Sequence, residues 1–124
     1  VDIETNGYMT FPSGVRASFD TSFNLEMRHE YRIFGSKGSI QVPRAFRPDL
    51  HGGEGIIIVQ NNTGTRIESV SGDQYRLQVE HISQAILEND KVLKHSPENT
   101  LENMRVIDAC YESIATGRPV KLKR

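Results

Sequence analysis

The chain has no tryptophan and a single cysteine, Cys110. One cysteine excludes an internal disulfide framework and any zinc site built on paired thiolates, and it fits a reducing cytoplasm. An excess of one charge is missing too: 15 Lys and Arg stand against 16 Asp and Glu, a formal net charge of −1. With no basic cluster interleaved with aromatics, neither nucleic acid nor an anionic membrane is an expected partner. No apolar run approaches the roughly 18 residues of a spanning helix, and no signal-peptide pattern opens the chain. The histidines, His29, His51, His81 and His95, show no metal-ligand spacing. Internal repeats and low-complexity tracts are absent as well.

What is present fits a folded domain. Hydrophobic residues make up 36% and charged residues 25% of the 124, proportions of an ordinary globular chain. One domain over residues 1–124 is expected, and the start at Val1 without a Met suggests a piece of a longer protein.

The first two thirds read as strands. Ile3, Thr5, Tyr8 and Thr10 suit one, with Asn6-Gly7 a turn dipeptide inside it. After Pro12-Ser13-Gly14 the alternation is clean: Val15, Ala17, Phe19, Thr21 and Phe23 share one face, and Arg16, Ser18, Asp20, Ser22 and Asn24 the other. His29 to Phe34 is a strand that pairs through Gly35-Ser36-Lys37-Gly38 with Ser39 to Val42. Ile56 to Val59 turns at Asn61 to Gly64 and returns as Thr65 to Val70.

At Ser71 the period changes. Tyr75, Val79, Ile82 and Ile86 recur at helical steps, predicting a helix of about 73–88 capped by Ser71 or Asp73. A second helix starts at Ser96 with Pro97 in its first position, carries Leu101, Met104, Ile107, Tyr111 and Ile114 as its stripe, and stops at Gly117. Val120 and Leu122 predict a short terminal strand. Strands followed by helices predict an α+β fold: an open, mainly antiparallel sheet of about six strands with two helices on one face.

Candidate chemistry is sparse. Gly52-Gly53-Glu54-Gly55 precedes a strand, whereas a dinucleotide fingerprint follows one and opens a helix. Cys110 reads as a packed thiol and His81 as a residue turned away from the Tyr75 stripe. The loop bearing Arg44, Arg47 and His51 is suited to an anionic or polyhydroxy ligand, or carries ordinary loop charges. Tyr75 is either a core aromatic or a side chain at the sheet edge. Leu77, Leu87, Val106 and Ala109 lie outside the main stripes, extra apolar surface that suggests contact with another domain or subunit.

Several segments, in order, carry a resemblance. They are Gly14-Val15-Arg16-Ala17-Ser18-Phe19, Ile33-Phe34-Gly35-Ser36-Lys37-Gly38-Ser39-Ile40, and Asp73-Gln74-Tyr75 opening a helix with Glu80-His81-Ile82 and Ala85-Ile86. Asn103 to Ala109, Tyr111-Glu112-Ser113 and Thr116-Gly117-Arg118-Pro119-Val120 complete the set. Together they resemble the C-terminal domain of the Gfo/Idh/MocA oxidoreductases, nicotinamide-dependent enzymes acting mostly on sugars and cyclitols. The resemblance implies an N-terminal Rossmann domain in the same polypeptide, which binds NAD or NADP and carries the catalytic residues. Neither cofactor-binding nor catalytic residues are expected in these 124. It also implies a small polyhydroxy substrate, reached by Tyr75 and less directly by Gln74, with Arg47 added from the loop. A homo-oligomer formed through the open sheet face and a cytoplasmic setting complete the expectation. The alternative is a binding or assembly module that uses the same sheet without catalysis.

Overall fold

The computed structural model describes residues 2–89 and 93–122. Its elements run β1 (Glu4–Thr10), β2 (Arg16–Ser22), β3 (Tyr31–Gly35), β4 (Gly38–Val42), one 3₁₀ turn (Pro48–His51), β5 (Glu54–Asn61), β6 (Gly64–Ser71), α1 (Gln74–Leu87) and α2 (Pro97–Thr116). The fold is α+β, with six antiparallel strands followed by two helices. The strands divide between two open sheets, β1-β2 and β3-β4-β5-β6. The chain forms two compact units, Val1–Glu26 with Val92–Arg124, and Met27–Lys91.

In the first unit β1 and β2 pair from Glu4 opposite Ser22 to Thr10 opposite Arg16. Asn6-Gly7 is not a turn: it lies within β1, and Gly7 faces Phe19 across the pair. A Cβ on Gly7 would stand 2.4 Å from the Phe19 ring, so the missing side chain makes room for the aromatic. Of the face that the alternation gives to Val15, Ala17, Phe19, Thr21 and Phe23, Ala17 and Phe19 are half-buried, whereas Val15, Thr21 and Phe23 are exposed. Ser96 caps α2 by accepting from the Asn99 amide, Pro97 occupies its first turn, and Gly117 closes it in the left-handed region. Residues 118–122 form no strand. Pro119 has no N–H to give a ladder there.

In the second unit Ile33, Ile40 and Val59 line up across β3, β4 and β5, beside Tyr31 opposite Val42. Val42, two residues from Ile40 on the same face of β4, is at 8% exposure one of two buried apolar residues among those described. The other is Ala85 on α1. Asp73, not Ser71, caps α1, its carboxylate accepting from the Tyr75 and Arg76 amides. Ser71 is the last residue of β6 instead.

The helices turn a different face inward from the one their apolar stripes predict. On α1 the covered positions are Gln74, His81 and Ala85, while Tyr75, Val79, Ile82 and Ile86 are exposed. His81, turned away from the Tyr75 stripe, is half-buried. On α2 Val106, Ala109, Cys110 and Ser113 are half-buried, and Leu101, Met104, Tyr111 and Ile114 stand out. Ile107 is 38% exposed. Among the described residues no helix is long and apolar enough to cross a membrane, and no group of His, Cys, Asp and Glu could hold a metal.

Candidate functional site

The candidate site is built where the loop after β4 meets the start of α1, all within the second unit. Arg47 precedes Pro48, a position pushed toward extended backbone, and the 3₁₀ turn Pro48–His51 follows. Gly52 and Gly53 close the turn at φ +67° and +82°, a region open to glycine at little steric cost. Two backbone bonds then fasten the loop: Gly53 N–H donates to Pro48 O at 2.9 Å, and Gly72 N–H to Gly53 O at 3.0 Å. Gly72 is the residue before the Asp73 cap. The loop and the helix start are thus stitched together through two glycines.

On this frame Asp49 is the hub. Arg47 donates to it in a fork, Nε to Oδ1 at 3.0 Å and Nη2 to Oδ2 at 2.7 Å. Gln74 Nε2 donates to the same Oδ1 at 2.9 Å. A carboxylate only accepts, so this contact fixes which end of the Gln74 amide faces Asp49. The amide oxygen Oε1 is buried and takes no hydrogen bond from the described residues. The Arg47 and Gln74 bonds hold the Asp49 carboxyl well below the usual carboxylate range. Arg47 is in turn raised above its ordinary value by Asp49, with a smaller contribution from the Tyr75 phenol.

A second pair lies alongside. Arg44 Nη1 donates to Glu54 Oε2 at 2.8 Å, and Ser69 Oγ donates to Glu54 Oε1 at 2.7 Å. The Ser69 hydroxyl, the Arg44 guanidinium and, more weakly, His51 keep the Glu54 carboxyl below its ordinary value. On α1, Arg76 Nε is bonded to Glu80 at 2.7 Å.

The structure therefore brings Arg47 and Gln74 together and places Tyr75 next to them, 62% exposed and outside any core. His51 stays at the edge, felt only through Glu54. Sequence reasoning missed Asp49. The signal was Arg47-Pro48-Asp49, an acid two residues from a cation across a proline, and its partner lies 25 residues away. The site can hold a ligand by hydrogen bonds, but it contains no nucleophile–base pair.

The described residues do not fit a dinucleotide pyrophosphate. At the start of α1 the Tyr75 and Arg76 amides are taken by the Asp73 carboxylate, which opposes an anion there, and at the start of α2 the Asn99 amide is taken by Ser96. No step through the nicotinamide is assigned to these residues.

Comparison with known proteins gives a consistent family. The profile described as "Oxidoreductase family, C-terminal alpha/beta domain" of the Gfo/Idh/MocA group matches residues 5–122. A D-xylose 1-dehydrogenase (NADP(+)) of Haloferax volcanii is 28% identical over 98% of this chain and 37% of its own length. An uncharacterized oxidoreductase, ORF334, of Rhizobium meliloti is 32% identical over 94% of this chain and 36% of its own. The chain thus spans just over a third of these curated relatives. No solved structure gives a significant match.

Proposed function

The chain belongs to the Gfo/Idh/MocA oxidoreductase family as its C-terminal alpha/beta domain, and on that premise we propose that it shapes the substrate pocket of a sugar or cyclitol dehydrogenase. The full polypeptide transfers hydride between NAD(P) and a substrate hydroxyl, with cofactor and catalytic groups supplied by an N-terminal Rossmann domain. These 124 residues alone are inactive. The observation that carries the reading is the Arg47–Asp49–Gln74 cluster beside exposed Tyr75. It offers amide, guanidinium and phenol groups on a stitched frame, the fixed polar chemistry that orients a polyol. The D-xylose activity in one relative's name makes a pentose the first substrate to try.

The same reading gives the domain a second role. Two open sheets and exposed helix stripes leave apolar surface for the Rossmann domain and for a further copy of the protein. We place the homo-oligomer contact on the open sheet face, and the whole protein in the cytoplasm.

The test uses the full-length enzyme with D-xylose and related aldoses. Gln74→Ala removes one neutral hydrogen-bonding group and is expected to raise KM by about 2- to 12-fold with a smaller change in kcat. Tyr75→Phe is expected to act in the same direction. Unchanged KM in both variants would remove the cluster from the pocket.

A further inference from the structure

The features of this region that would attract an anion are each occupied by a carboxylate of the chain itself. Arg47 is forked onto Asp49, Arg44 is bonded to Glu54, and the α1 amides of Tyr75 and Arg76 are taken by Asp73. Arg76 is engaged by Glu80. The loop therefore presents cations in number but no uncommitted positive charge among these four groups. Gln74 Nε2 is committed to the Asp49 carboxylate as well, and the other end of that amide, Oε1, is buried.

We propose that Asp49 is a specificity-determining residue: by occupying Arg47 and fixing the Gln74 amide, it makes the cluster take a neutral polyhydroxy compound and reject the corresponding acid or phosphate ester. The proposal rests on the reading of this cluster as the substrate-facing site. Discrimination of this kind works by what it excludes, since an anion at the cluster must either displace Asp49 from Arg47 or lie against its carboxylate. Asp49 acts through Arg47 and Gln74, so it is a positioning residue whose effect appears in selectivity.

The test compares the full-length enzyme with its Asp49→Asn variant, using calorimetric binding of a neutral aldose, its aldonate and its phosphate ester. The native enzyme is expected to bind both anions at least about tenfold more weakly than the aldose, and Asp49→Asn to narrow that ratio by about tenfold. Adding Arg47→Gln to Asp49→Asn should abolish the gain, because the freed guanidinium is its source. Asp49→Glu, which keeps the charge, should retain the native ratio and guards against a merely structural effect. Equal binding of aldose and anion by the native enzyme, or equal weakening of all three ligands in Asp49→Asn, would overturn the proposal. Tight binding of all three without any change in Asp49→Asn or Gln74→Ala would overturn the placement of the site as well.

Discussion

In the Met27–Lys91 unit, side-chain hydrogen bonds gather at one point a loop arginine, a carboxylate from a 3₁₀ turn and an amide from a helix 25 residues further on. In the other unit the side-chain bonds among the described residues stay mostly within one element or hairpin: Ser22 to Glu4, Arg105 to Glu102, Ser113 to the Arg118 carbonyl. Tyr111 is the exception, its phenol pushed up by a hydrogen bond with Asp2. Isolated surface bonds of the second kind contribute little and fix nothing beyond themselves. A convergent set on a backbone frame holds groups at defined positions, which is what a binding site needs. On this contrast we propose that ligand recognition lies in the second unit.

The largest expected effect concerns the second unit's core. Val42→Asp puts a carboxylate at the buried point of the apolar row and should cost several kcal/mol, as an unpaired charge away from water does. Ile107→Asp, at a position 38% exposed in this chain, should cost far less. Denaturant unfolding of both variants checks the difference, and comparable losses would mean that the α2 stripe is a core face after all. Gly53→Ala comes next. Its φ of +82° and a Cβ 3.2 Å from the Gly72 carbonyl strain the stitch between loop and helix, at about 1–2 kcal/mol for the left-handed backbone. That variant should lose both stability and substrate affinity, whereas Gly14→Ala, also at positive φ but on an open turn of the first unit, should leave affinity untouched.

The smallest effect is in pH. Asp49 has its folded pKa depressed, so its contribution is present above the unfolded value near ~3.9 and is lost only as pH falls through the lower folded value. KM should therefore stay flat from pH 7 to about 4.5 as far as this pair is concerned. Arg47→Gln should bring the loss up toward the ordinary carboxylate range. A native KM rising with a midpoint well above that range would show that the ion pair is not what holds the site.

How much of this was legible in the chain depended on distance along it. The Gly35–Gly38 hairpin, the Ser96-Pro97 start and the Gly117 stop were readable because a turn or cap is decided by residues a few positions apart. The helix faces were not. Periodicity shows where the bulky apolar side chains lie, Val79 and Ile86 on α1 for example, but not what covers them, and in this chain the smaller Ala85 face is covered instead. Asn6-Gly7 misled for a related reason, since the partner that makes glycine useful in a strand, Phe19, lies 12 residues downstream. Asp49 looked like any loop acid until Gln74 was brought to it. Loop charge points to Arg47 and resemblance to Gln74, with nothing in the sequence to say that one carboxylate joins them.

The most direct measurement is hydrogen exchange on the full-length enzyme with and without a saturating neutral aldose. The account predicts slowed exchange over residues 47–54 and 72–76, the loop and helix start that carry the cluster, and no comparable change along 97–116. Protection confined to the second helix, with the loop unaffected, would contradict it.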